Sequence, residues 1–394
     1  MSNQIEVRPG LRDVIAGETK ICKLDEQISK IFYFGYPIEE LIEKHSFEET
    51  AYLTLYGDLP VQTPFRFGEA DVDALRGVWA TLQTEPRDAH PMGLLRTAMS
   101  ALGNRLERKN GLGTTLEAEQ AAALHLTPHI GYVVGLIGRY MAGQEPVMPV
   151  AGESYGGNIL HMLRGSKPDA FEARCMDIAL ILYTEHEFNA GSFGVRVAAS
   201  THSDLYSSAV AGECILRGPR HGSANEESMH LMLDIGDPAK VKAYCDNFFA
   251  QPGARMPGFG HAVYNLPQSF DPRVSVLRPW VKELSRRKGD SRWHDIAMSL
   301  EAYMAERMKP RVARGNPNAP ANMDLWTAPL YYLLGIPIPL YTPLFAASRI
   351  AGWSAHYLEV KYVNREPIIR PRADYVGPQP REYKATDHFG ALDA

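Results

Sequence analysis

Asp169-Ala170-Phe171-Glu172-Ala173-Arg174-Cys175-Met176-Asp177-Ile178-Ala179-Leu180-Ile181-Leu182 carries a helical signature that the rest of the chain repeats. Asp169 and Glu172 have the spacing of a capping box, and Phe171, Cys175, Ile178 and Leu182 recur at the interval that puts side chains on one helical face. The helix so predicted is expected to carry His186 on its buried stripe. The same signal repeats outward along the chain. Residues 203–216 form an apolar run that Gly218-Pro219 must stop, because proline cannot continue the hydrogen-bond ladder. Ile296, Leu300, Tyr303, Met304 and Met308 mark one face of a helix over 293–308. Ala347, Ala351, Ala355 and Leu358 mark another over 344–358, with small residues that permit close helix packing. Alternating strand patterns are nearly absent, and there is neither a βαβ rhythm nor an internal repeat. The predicted fold class is all-α. Two stretches crowded with Pro and Gly, 144–157 and 311–322, read as linkers, and the polar tail beyond Pro378 is expected to be loosely ordered.

The size and composition restrict what such a chain can be. At 394 residues it exceeds the size at which single cores stop growing, about 250–300 residues, so a large domain with a smaller inserted one is expected. With 45% hydrophobic and 22% charged residues it belongs with globular proteins rather than disordered ones. Its 41 basic and 46 acidic side chains give a net charge of −5 with no basic block, which argues against nucleic acid as the partner. Cys22, Cys175, Cys214 and Cys245 are widely separated and form no CxxC pair, so no disulfide framework or zinc site is indicated and a reducing cytoplasm fits. The first residues have no basic segment followed by an apolar one. Leu325 to Ser348 is uncharged and long enough to span a bilayer until Arg349, but Pro329, Pro337, Pro339 and Pro343 interrupt it. It reads as buried core, and no membrane partner is expected.

Several generic motifs fail on context. Gly152-Glu153-Ser154-Tyr155-Gly156 matches the GxSxG nucleophile elbow, which needs a strand before the serine, and the preceding segment is short and broken by prolines. It reads as a glycine turn. Gly258-Phe259-Gly260 begins a dinucleotide fingerprint but lacks its third glycine and its strand–helix unit. His125 and His129 are four apart, but Pro128 is expected to disturb their shared face, and no acidic third ligand is nearby, so no metal site is predicted.

Three polar residues beside turns stand out. His221 precedes a helix expected to begin near Ser223 or Asn225, where unpaired N–H groups and the helix dipole disfavour an imidazolium; a neutral histidine there can still donate a hydrogen bond. His261 follows Gly258 and Gly260, which let backbone approach a ligand closely. Asp324 lies in a hydrophobic setting after the second linker. Taken alone, each of the two histidines is more often a satisfied structural residue than a catalytic one.

GLRDVIAGETKICKLD (10–25), FGYPIEELIEKHSFEETAYLTLYGDLP (34–60), HPMGLLRTAMSALG (90–103), LYTEHEFNAGSFGVRVAAST (182–201), RGPRHGSANE (217–226), GFGHAVY (258–264), NMD (322–324), FAASRIAGWSAH (345–356) and IIRPRADYVGP (368–378) together resemble the citrate synthase family. The resemblance implies a helical homodimer, with a large domain over 1–220 and 325–394 and a small domain over 221–324. It implies condensation of an acyl-CoA with oxaloacetate and hydrolysis of the thioester, with acyl-CoA as a substrate and no cofactor or metal. Asp324 would remove a proton from the acyl α-carbon, His221 would hydrogen-bond the thioester oxygen, and His261 would donate a proton to the keto carbonyl. His186, Asn189, Arg273, Arg349 and Arg370 would contact oxaloacetate, Arg370 from across a dimer interface, since paired arginines suit a dianion. Gly258, Gly260, Lys309, Arg311 and Arg314 are candidate CoA contacts, the three cations being equally readable as a solvated basic turn. Twelve positions separate His261 from Arg273, more than is common in the family, so the intervening loop must bulge for Arg273 to reach the site. Acetyl-CoA is the expected donor. Propionyl-CoA, as in 2-methylcitrate synthases, is the close alternative, because one methylene changes binding by only about 1–3 kcal/mol. A non-catalytic paralogue that binds CoA or dicarboxylates is the reading from a different class.

Overall fold

The computed structural model describes residues 7–11, 14–111, 113–219, 221–261, 263–264 and 266–381. The tail after Arg381 lies outside them. The chain divides into a terminal unit, residues 1–18 with 369–394, and a main unit, residues 19–368. The described part of the terminal unit holds one short 3-10 turn, Pro9–Leu11, and an extended, exposed segment after Ile369.

The main unit is helical, with fifteen α-helices among the described residues and one small antiparallel sheet. That sheet joins Cys22–Asp25 to Lys30–Tyr33 and the latter to Tyr36–Pro37, with Cys22 opposite Tyr33. The helix Tyr341–Leu358 is buried along its whole length. It packs against Leu116–Met141, Leu205–Leu216, Phe47–Tyr56, Ala190–Ser200 and Ala170–Tyr183. Its small residues explain the close approach: a Cβ at Gly352 would strike the Glu185 carboxylate and the Thr184 carbonyl. The uncharged stretch 325–348 is therefore core, as expected, divided between the helices Met323–Leu333 and Tyr341–Leu358.

Local capping fixes where the helices begin. Asp169 accepts from Glu172 N and the Glu172 side chain returns to the Asp169 N–H, so the capping box is formed and opens Ala170–Tyr183. Such a cap contributes about 1 kcal/mol. That helix stops at Tyr183, however, so His186 sits in the connector after it rather than on its stripe. The local reason is visible: Glu187 has left the helical region at φ 53, and Asn189 starts the next helix as its N-cap. A second expectation also changes. The helix Leu116–Met141 runs through Pro128 without breaking, and His125 and His129 do share a face, with ring centroids 4.5 Å apart. Tertiary packing outweighs the local penalty there, since residues 126–137 are all buried. His129 serves structure: its Nε2 accepts from Asp71 N at 2.8 Å, and its Nδ1 faces the His125 carbonyl at 2.7 Å. Ser154 is likewise structural, its Oγ accepting from Gly157 N at 3.1 Å to cap Tyr155–Arg164.

Candidate active site

Two loops that carry candidate residues are joined by backbone. Gly258 and Gly260 adopt φ of 76° and 81°, which L side chains rarely tolerate. The turn they make lays Phe259 against Ala321 as an isolated antiparallel bridge. Gly260 N donates to Pro320 O at 2.8 Å, Asn322 N to Gly258 O at 2.9 Å, and Asn322 Nδ2 to Gly260 O at 2.9 Å. Asn322 Oδ1 also accepts from Asp324 N and caps Met323–Leu333. The segment bearing His261 and the helix start bearing Asp324 thus hold one another in place.

His261 Nδ1 lies 3.1 Å from Val263 N. A backbone N–H can only donate, so a neutral His261 keeps its proton on Nε2. Loss of solvent, with help from the Arg273 charge, pushes its pKa down to about 4. Its ring meets that of His186 at a centroid distance of 4.9 Å. Burial first, and then Arg273, His261 and Arg349, hold His186 well below the ordinary imidazole range. His221 ends the turn that precedes Ala224–Ile235, where the sequence put it. Burial, followed by Arg349 and His261, brings it to about 4, and its Nε2 is buried without a hydrogen-bond partner among the described residues. All three imidazoles are therefore neutral near pH 7.

Asp324 is the second residue of its helix. Burial pushes its carboxyl above the ordinary value, opposed by a hydrogen bond from Tyr183 and by Arg273. Tyr183 Oη donates to Asp324 Oδ1 at 2.8 Å and lies 2.9 Å from Thr327 Oγ1. The Tyr183 carbonyl in turn accepts from Arg349 Nε at 2.6 Å. Phe345 completes this wall: it meets Tyr183 at 4.3 Å and His221 at 6.1 Å between centroids, and the Arg349 guanidinium sits 4.7 Å from its ring centre.

Arg273 reaches the cluster because the residues before it fold compactly. Ser269 turns back onto Leu266 O, and Phe270 N donates to Ser29 Oγ at 3.1 Å in the Cys22–Tyr33 hairpin. Asp271 then caps Pro272–Lys288 and grips Arg273 through two bonds of 2.8 Å, Nε to Oδ1 and Nη2 to Oδ2. Burial alone would raise Asp271, but Arg273 holds it below its usual range, while Met323 N bonds its second oxygen at 3.0 Å. Arg273 and Arg349 are 4% and 2% exposed, so both cations are desolvated and strongly felt by their neighbours.

Of the residues singled out from sequence, His186, His221, His261, Asp324, Arg273 and Arg349 come together here. Asn189 occupies its side chain locally, accepting from Ser192 N at 3.1 Å and donating to Glu187 O and Ser192 Oγ, so it fixes the turn that presents His186. Arg370 belongs to the terminal unit, where it is exposed. Arg311 and Arg314 line a cavity of about 480 Å³ with Arg255, Arg307, Phe259 and Met308. Lys309 is outside that lining and pairs with Glu306, one turn back on the exposed surface of the same helix. Sequence reasoning passed over Tyr183, Tyr264, Asp271 and Arg255. Asp271 had a signal, an N-cap aspartate before Pro272, whereas Tyr183 read simply as the end of an apolar stripe.

A mainly helical scaffold that gathers a carboxylate, three histidines and two buried guanidiniums has the layout of an enzyme active site, with groups able to move protons and cations able to hold an anion. Comparison with known proteins identifies the family. The family described as "Citrate synthase, C-terminal domain" matches residues 10–372, and the chain belongs to the citrate synthase family. It is 37% identical to a 2-methylcitrate synthase of Shewanella oneidensis over 377 residues, covering 95% of this chain and 96% of that protein. It is 35% identical to a citrate synthase of Mycolicibacterium smegmatis over 376 residues, covering 94% and 95%. Among solved structures, it resembles citrate synthase of the thermophilic archaeon Thermoplasma acidophilum in a ternary complex with carboxymethyl coenzyme A and oxaloacetate. That match has a TM-score of 0.85 and 29% identity, and covers 96% of this chain and 98% of the other. The citrate synthase of Pyrobaculum aerophilum matches with a TM-score of 0.83 and 32% identity over 95% and 94% of the two chains.

Proposed function

We propose that this protein condenses the acyl group of acetyl-CoA with oxaloacetate and hydrolyses the resulting thioester to citrate and CoA. The observation that carries the reading is the meeting of Asp324 with three neutral histidines beside Arg273 and Arg349. Arg273 and Arg349 pair with the oxaloacetate carboxylates, His186 adds a hydrogen bond, and Asn189 holds the His186 turn. Asp324 takes a proton from the acyl methyl carbon. A carboxylate is a weak base for a carbon acid, so the developing oxyanion needs a partner fixed in advance, and His221 Nε2 supplies it. As the enol carbon attacks the keto carbon, His261 gives its Nε2 proton to the keto oxygen. Water then cleaves the thioester, releasing CoA as the thiol. The arginine-lined cavity at Arg255, Arg307, Arg311 and Arg314 receives the CoA phosphates, with Gly258 and Gly260 allowing the thioester arm to pass along backbone. Acyl-CoA enters as a substrate, and the chemistry calls for no further cofactor.

The same reading has residues 221–324 move as a small domain that closes on bound oxaloacetate and excludes water from the enol. It has two chains pair, Arg370 of each reaching the other's site. The four free cysteines suit a reducing cytoplasm.

A second donor is favoured by the 37% identity to a 2-methylcitrate synthase: propionyl-CoA, giving 2-methylcitrate. One assay tests both. Thiol release is followed with acetyl-CoA and with propionyl-CoA, with and without oxaloacetate. Oxaloacetate-dependent thiol is expected from at least one donor, and the ratio of kcat/KM ranks the two. No such thiol from either would overturn the proposed reaction.

A further inference from the structure

Tyr264 lies at the centre of the ring cluster but takes no part in the chemistry just described. It has no exposed surface. Its ring stands 4.9 Å from that of His261 and 5.7 Å from that of His186, so it packs against both imidazoles, which also meet each other directly. Its hydroxyl lies 3.0 Å from His186 Nε2, the one hydrogen-bond partner it has among the described residues. Two arrangements are possible at such a contact. If His186 Nε2 bore the proton and donated it, the phenol proton would be left without an acceptor among the described residues, which is costly. If Tyr264 donates, its proton is satisfied and Nε2 supplies the lone pair. The second arrangement leaves the imidazole proton on Nδ1.

We infer that Tyr264 is a positioning residue: by donating to His186 Nε2 it fixes His186 as the Nδ1–H tautomer and so presents a donor to the keto acid. This rests on reading the cluster as an oxaloacetate site. The opposite tautomer would turn a lone pair toward an anionic ligand and repel it. With Nε2 taken up by Tyr264, Nδ1 is the ring nitrogen left to face a ligand oxygen. His261 gains its own tautomer differently, from Val263 N, and does not depend on Tyr264 for it.

The test combines nitrogen-15 NMR of histidine-labelled protein with calorimetric titration of oxaloacetate, on the full chain and on Tyr264→Phe. His186→Gln assigns the resonance. In the unliganded wild type, His186 should show an unprotonated Nε2 and a protonated Nδ1. In Tyr264→Phe it should become a mixture of tautomers, with oxaloacetate binding weakened about tenfold and kcat lowered by less than the affinity. A protonated Nε2 in the wild type would overturn the inference whatever the variant does. So would a folded Tyr264→Phe that binds oxaloacetate as tightly as wild type. Failure of the wild type itself to bind oxaloacetate would instead remove the proposed reaction, and with it the purpose assigned to the tautomer.

Discussion

Replacing Asp324 by asparagine should abolish turnover while making the protein more stable, a combination few other substitutions here would produce. The carboxylate receives one hydrogen bond from the described residues, that of Tyr183 at 2.8 Å, although an ionised carboxylate can accept about four. Burial outweighs Tyr183 and Arg273, so its pKa lies above the ordinary aspartate value in the folded state. The sign follows from linkage. Between the unfolded and folded pKa the native state binds more protons, so this group costs stability as pH rises, and the cost is complete above the folded pKa. Asparagine has nearly the same shape, can still accept from Tyr183, and carries no charge to desolvate. The variant should gain about 1–2 kcal/mol at pH 8, a rise in Tm of roughly 2–4 °C. The gain should vanish below about pH 4, where aspartate is neutral in both states. Meanwhile kcat for thiol release should fall by about 10²–10⁴, the ordinary contribution of a general base, with oxaloacetate affinity nearly unchanged. Stopped-flow or steady-state thiol detection, thermal melts at pH 4 and 8, and calorimetry measure the three quantities. Turnover within tenfold of wild type would refute the base assignment, and a lower Tm at pH 8 would refute the desolvation argument.

Tyr183→Phe removes the donor that favours the ionised form of Asp324, so the acid limb of the kcat profile should move to higher pH, with turnover at neutral pH reduced about tenfold or more; a limb that stays fixed or moves down would exclude the coupling. Ser154→Ala should cost about 1 kcal/mol by denaturant titration, because the Oγ caps Tyr155–Arg164, yet leave thiol release intact. Loss of turnover without loss of stability would instead revive the nucleophile-elbow reading of GESYG.

Much of the fold was legible because helices are local. The capping box at Asp169 and Glu172, the stop at Gly218-Pro219 and the apolar stripes at 293–308 and 344–358 each depend on residues within a few positions; each marks a helix that forms, although the third runs on to Val312, into the stretch read as a linker, and the fourth begins earlier, at Tyr341. His221 before a helix start was readable for the same reason. Pro128 shows the limit: the expected break of the His125–His129 face did not occur, because its penalty is local while the buried surroundings that outweigh it come from the rest of the fold. His186 shows another, since periodicity says which face repeats and not the residue at which the helix lets go.

The polypeptide on its own determined that helices would form, which faces they would bury, and that three motif-borne residues stood beside turns. Folding alone decided what those residues touch. Tyr264 and His186 are 78 positions apart, and Arg349 and the Tyr183 carbonyl 166. Tautomers, desolvated guanidiniums and a raised carboxyl arise only when such distant groups lose water together, and no local pattern records which partner will replace that water.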